Sequence, residues 1–113
     1  MKIEVLYFDG CPHHRPTVDR VRAVLREEGV QQEVAEVAVA DQNAAITLAF
    51  LGSPSVRVNG VDIEPEARSS QNFGIMCRTY LGAGLDEGRR EGLPPDAMIR
   101  LAIREAADRG QEA

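Results

Sequence analysis

The spacing of apolar positions changes along the chain, and each spacing predicts an element. Residues 2–8 are apolar and β-branched toward their end, which is typical of a buried strand. From Pro16 to Gly29, valine and leucine recur at helical spacing, which predicts a helix with the proline in its first turn and the glycine at its end. Residues 32–39 alternate imperfectly and predict a second strand.

The next part of the chain predicts a short helix followed by a β-hairpin. Asp41 suits the N-cap of the helix, because its side chain can accept a hydrogen bond from a free backbone N–H group. Residues 55–58 and 61–63 alternate with period two around Asn59-Gly60. That dipeptide favours a type I′ turn, so the two runs predict antiparallel strands.

The C-terminal part predicts two further helices. Residues 64–75 are polar and irregular, and a short helix is predicted at 77–81. Residues 82–93 are rich in glycine and charge, which predicts a loop. The last helix begins at Pro94-Pro95 and ends at Gly110. Apart from the short helix at 77–81, the whole order is β-α-β-α-β-β-α, an α/β fold with a mixed four-stranded sheet and helices on both faces.

Length and composition narrow the class of protein. The chain has 113 residues, which fits a single domain over 1–113, and 43% hydrophobic residues suffice for a core. A net charge of −5 argues against a nucleic-acid partner, and no apolar run has the length of a membrane span. Met1 leads directly into a core strand, and two cysteines are too few for a disulfide scaffold. We therefore expect a cytoplasmic protein without a bound cofactor.

The chemistry-bearing motif is Cys11-Pro12-His13-His14, between the first strand and the first helix. A thiol reacts as thiolate, and the helix start favours an anion. An imidazolium at either histidine and the charge of Arg15 act in the same direction. The motif therefore predicts a reactive, partly exposed thiol, and the alternative is a small apolar residue that fills the turn.

The order of elements, with Cys11 before the first helix and Ser53-Pro54 before the hairpin, resembles the thioredoxin/glutaredoxin fold. The stretches YFDGCP, FLGSPSVRVNG, GIMCRTY and the late LPP helix are similar to a family of small bacterial thioredoxin-like proteins, some labelled alkylmercury-lyase-like. The resemblance implies a cis peptide bond at Pro54, with the Ser53 backbone beside the thiol and ready to bind an extended peptide or a glutathione-like substrate. Redox-active members carry a second cysteine where this chain has His14.

The second cysteine, Cys77, is the candidate that replaces that missing thiol. If residues 64–76 fold over the site, Cys77 lies within reach of Cys11 and resolves a mixed disulfide. The alternative is a buried, inert cysteine. Arg78 is a candidate for binding a carboxylate or phosphate of a ligand, and Pro12, His13, Ser53 and Pro54 are further candidate substrate contacts.

Three functions follow as hypotheses. The first is thiol–disulfide exchange with a protein or glutathione-like substrate, with Cys11 as nucleophile and His14 and Cys77 in support. The second is soft-metal binding, with Cys11 and Cys77 as thiolate ligands and His14 as a third candidate. The third is a non-catalytic module of the same fold.

Overall fold

The computed structural model describes residues 1–82 and 89–112, and a four-stranded sheet forms its centre. The strands are β1 (Ile3–Tyr7), β2 (Val34–Ala38), β3 (Ser55–Val58) and β4 (Val61–Asp62). Their order across the sheet is β2-β1-β3-β4. β1 pairs in parallel with β2 and antiparallel with β3, and β3 pairs antiparallel with β4. The predicted mixed four-stranded sheet is confirmed.

Helices cover both faces of this sheet. They are α1 (His14–Glu27), α2 (Gln42–Thr47) and α3 (Asp96–Glu112). Valines of α1 and isoleucines of α3 pack on one face against residues such as Val5 and Val56. On the other face, Ala45 of α2 packs against Leu6, Val39 and Phe50. None of the helices in the described ranges is long and apolar enough to cross a membrane.

Local signals in the sequence set three of the element ends. The Asp41 carboxylate accepts a hydrogen bond from the Ala44 N–H at 2.8 Å and so caps α2 as predicted. Asn59 and Gly60 have φ angles of 53° and 79°, the two positive values that a type I′ turn requires. Gly29 follows α1 with a φ of 68° and ends it.

The prediction of a helix at 77–81 is wrong. Cys77 forms an isolated parallel bridge with Ser53, and β5 (Tyr80–Leu81) follows it. β5 pairs with β6 (Arg90–Glu91), which interrupts the loop predicted at 82–93. Residues 83–88 of that loop lie outside the described residues. The helix at 77–81 does not form because the backbone of residues 76–78 is paired with the distant Ser53. A helix would lose those hydrogen bonds.

Two smaller differences from the predicted elements lie in the later part of the chain. A single turn of 3-10 helix (Pro65–Ala67) lies in the stretch that was predicted to be irregular. α3 begins directly after Pro94-Pro95, as predicted, but it continues to Glu112 rather than ending at Gly110.

Candidate functional site

Cys11 lies in the turn that joins β1 to α1, half-buried and with a free thiol. Its N–H donates to the Phe8 carbonyl at 3.2 Å, and its own carbonyl accepts from the His14 N–H at 3.3 Å. The turn is therefore continuous with the first turn of α1. Pro12 is exposed beside it. The fold places the thiol at the positive end of a 14-residue helix, where an anion is stabilised.

The two histidines of the motif leave this turn in different directions. The His14 ring stacks on Tyr7, with centroids 3.5 Å apart and planes inclined by 6°. Its Nε2 lies 2.8 Å from the Glu36 Oε1, so the imidazole is held between β1 and β2. His13 packs instead against Gly92, where an added Cβ would collide with its ring. Among residues 1–82 and 89–112, a carboxylate therefore orients His14, and none is seen to bind His13.

Ser53 lies between the turn of Cys11 and the segment of Cys77. The Ser53–Pro54 peptide is cis, as predicted. On one side, the Phe8 N–H donates to the Ser53 Oγ at 3.4 Å. On the other side, the Ser53 N–H donates to the Met76 carbonyl at 2.8 Å, and its carbonyl accepts from the Arg78 N–H at 2.9 Å. The backbone edge that was predicted to bind a substrate is paired within the chain.

Hydrogen bonds connect the segments of both cysteines with Ser53. Cys77 lies directly opposite Ser53 in the bridge, with its side chain exposed. On the other side, the Cys11 N–H donates to the carbonyl of Phe8, whose own N–H donates to the Ser53 Oγ. Cys77 is not the buried residue that the alternative interpretation expected.

A buried ionic cluster holds the chain beyond Cys77, and we call it the Arg78 cluster. The Arg78 guanidinium binds both Asp62 carboxylate oxygens, at 2.6 and 2.8 Å, and the Ser55 Oγ at 3.1 Å. Glu64 lies 3.6 Å from it, and the Tyr80 ring centroid lies 4.3 Å from its central carbon. Arg78 is only 7% exposed, and its charge is paired inside the fold with these carboxylates.

The protonation states of this cluster follow from its burial and charges. Burial acts to lower the pKa of Arg78, but the hydrogen bond to Asp62 and the nearby carboxylates outweigh it and raise that pKa. Burial raises the pKa of Tyr80 above its usual range. The phenol therefore stays a neutral donor, and it donates to the Pro54 carbonyl at 2.6 Å. Through Tyr80, the cluster thus binds the carbonyl of Pro54, the residue that follows Ser53.

Sequence reasoning missed the other four members of this cluster: Ser55, Asp62, Glu64 and Tyr80. A signal was present in the spacing. Asp62 and Glu64 are two residues apart in an extended segment, as are Arg78 and Tyr80. Equal spacing on two extended segments allows the charged side chains to face one another.

A cleft of about 830 Å³ opens beside Cys77. Its apolar lining includes Met76, Leu81, Met98 and Leu101. In the parts of the chain that the structure describes, no group of three or more His, Cys, Asp or Glu side chains is placed to hold a metal ion. The soft-metal hypothesis for Cys11, His14 and Cys77 therefore gains no support from the geometry.

Comparison with known proteins identifies no family. The chain matches no protein-family model, no curated protein and no solved structure. The thioredoxin-like resemblance consequently stands as a proposal that rests on the residues and geometry above.

Proposed function

We propose that this chain is a thioredoxin-like thiol–disulfide exchange protein whose nucleophile is Cys11. The observation that carries the proposal is the half-buried free thiol of Cys11 in the turn that opens α1. The Cys11 backbone N–H donates to the Phe8 carbonyl, and the Phe8 N–H donates to the Ser53 Oγ. The sheet order β2-β1-β3-β4, with a parallel first pair and an antiparallel hairpin, is the support for the fold.

The reaction that fits this site is a two-step exchange. The Cys11 thiolate attacks one sulfur of a substrate disulfide, and the substrate S–S bond breaks as a Cys11–substrate disulfide forms. The other half of the substrate leaves as a thiolate and takes up a proton. A second thiol then attacks the mixed disulfide and releases the remaining half. Two electrons pass from the two attacking thiols to the substrate disulfide, which is reduced to two thiols.

Two further residues, His14 and Cys77, have roles in this scheme. His14 follows Cys11 by one helical turn, and Glu36 and Tyr7 fix its ring. Because its Nε2 is bound to Glu36, Nδ1 is the nitrogen that would take the proton of the Cys11 thiol and then pass it to the leaving thiolate. Cys77, opposite Ser53, is the internal candidate for the second thiol. Its attack would join the two cysteines as a disulfide, which a low-molecular-mass thiol would reduce again.

The proposal is tested by mapping where a disulfide reagent attaches. Reduced protein is treated with a limiting amount of bis(2-hydroxyethyl) disulfide, digested without reduction and analysed by mass spectrometry. We expect the adduct on Cys11 in the Cys77→Ser variant, and a peptide that joins Cys11 to Cys77 in the unchanged chain. An adduct confined to Cys77, or none on either cysteine, would refute the proposal.

A further inference from the structure

We infer that Cys11 exchanges with low-molecular-mass disulfides and not with cysteines in extended polypeptides, an inference that rests on the proposed function. An extended peptide binds beside a strand by pairing with free backbone N–H and C=O groups. At Ser53 both groups are used, by the Met76 carbonyl and the Arg78 N–H. Residues 76–78, which we call the closing segment, therefore occupy the edge that a peptide would need.

The closing segment is held by contacts that a weakly binding peptide would have to break. Arg78 binds Asp62 through two hydrogen bonds and contacts Ser55 through a third. Moving it away would leave Asp62 buried without the cation that binds it, and Glu64 with only Arg90 at 3.7 Å, which is strongly unfavourable. The segment also packs closely on Gly52, where an added Cβ would lie 3.0 Å from the Arg78 Cβ and 3.1 Å from the Met76 oxygen.

The side of the closing segment that faces away from Ser53 remains open to small molecules. The Cys77 side chain is exposed and lines the cleft of about 830 Å³. That volume lies in the usual range for small-molecule sites. The lining of this cleft includes Cys77 but not Cys11, which is half-buried in the turn before α1. A small disulfide needs no main-chain pairing, so the closed Ser53 edge does not by itself keep it from the partly exposed Cys11.

The direct test compares two disulfides on the unchanged protein. One is bis(2-hydroxyethyl) disulfide, and the other joins 2-mercaptoethanol to the central cysteine of a capped five-residue peptide. Each rate constant is divided by that of the same disulfide with free N-acetylcysteine, which removes differences in intrinsic reactivity. We expect the normalised rate constant of the peptide disulfide to be at most about one tenth of that of the small disulfide. Equal normalised rates would overturn the inference and leave the proposed function intact.

A variant and a hydrogen-exchange measurement attribute the effect to the closing segment. Arg78→Lys keeps the charge but loses the bidentate pair, so the peptide rate is expected to rise toward that of the small disulfide. Arg26→Lys, on the exposed surface of α1, is the matched control and should leave the ratio unchanged. In the unchanged protein the Ser53 and Arg78 amides should exchange slowly. Rapid exchange of both amides, or a ratio that Arg78→Lys leaves intact, would contradict closure by this segment.

The outcomes separate this inference from the function on which it rests. If neither disulfide reacts at Cys11, the exchange function itself fails. If both react equally, only the exclusion of peptides fails. If a variant does not fold, the rate constants and the amide exchange of the unchanged protein still test whether peptide disulfides are excluded.

Discussion

Replacing Asp62 with alanine is expected to lower the free energy of unfolding by about 3–5 kcal/mol. The substitution removes the partner that binds Arg78 through two hydrogen bonds, and it leaves a cation in a position that is only 7% exposed. It also removes the carboxylate oxygen that accepts the Glu64 N–H at 2.8 Å. Because small domains are stable by about 5–15 kcal/mol, this loss is a large share of the total. Denaturant unfolding followed by circular dichroism measures it.

The matched control for Asp62 is Glu66→Ala, which removes the same type of charge from an exposed position nearby. We expect that change to lie within about 0.5 kcal/mol of the unchanged protein. Asp62→Asn keeps the shape and one acceptor oxygen, and should fall between the two. A cost for Asp62→Ala no larger than that of Glu66→Ala would show that the Arg78 cluster does not hold the closing segment.

Gly52→Ala is expected to destabilise the fold by about 3 kcal/mol, from two physical causes. The φ of Gly52 is +113°, a conformation that an L-residue adopts only with strain. The added Cβ would also lie 3.0 Å from the Arg78 Cβ and 3.1 Å from the Met76 oxygen, and neither atom is the free end of a flexible side chain. The closing segment would therefore have to move away from Ser53. Thermal and denaturant unfolding measure the loss.

Gly60→Ala separates the two causes. Gly60 also has a positive φ, of +79°, but an added Cβ would meet no atom within 4 Å. Its cost is therefore backbone strain alone, about 1–2 kcal/mol. We expect Gly52→Ala to cost clearly more, and to speed hydrogen exchange at the Arg78 amide where Gly60→Ala does not. Equal costs for the two variants would argue against tight packing of the closing segment on Gly52.

The first two thirds of the fold follow from local sequence signals. The hairpin is specified by Asn59 and Gly60, which adopt the positive φ angles of its turn. α2 is specified by Asp41, whose carboxylate caps it. The position of Cys11 between β1 and α1 follows from the elements on either side. In these places each residue is fixed by neighbours within a few positions, so its pattern can be interpreted without the rest of the chain.

The segment after the hairpin could not be predicted in the same way, because its conformation depends on distant partners. Cys77, Tyr80 and Leu81 have the three- and four-residue spacing of a helix face. The extended form is stabilised instead by the pairing with Ser53 and by the bond between Arg78 and Asp62, which is 16 residues away along the chain. Tertiary hydrogen bonds and a buried ion pair thus outweigh local helical spacing.

In the candidate site, too, the features set by nearby residues were predictable and those set by distant partners were not. The sequence predicted a thiol at a helix start with two histidines beside it. The partners of those histidines were not predictable. Glu36 reaches His14 across the parallel pairing of β1 and β2, and Gly92 meets His13 from the chain ahead of α3. Both contacts join residues that are far apart in sequence.

The measurement that tests the central claim most directly compares the two cysteines as nucleophiles. The second-order rate constant for bis(2-hydroxyethyl) disulfide is measured for Cys11 in the Cys77→Ser variant and for Cys77 in the Cys11→Ser variant. Exposure alone favours Cys77, because its side chain is exposed while Cys11 is half-buried. The proposed role of the α1 start predicts the opposite order, with Cys11 faster by about tenfold at neutral pH. If Cys77 reacts as fast as Cys11, or faster, Cys11 is not the nucleophile of an exchange site.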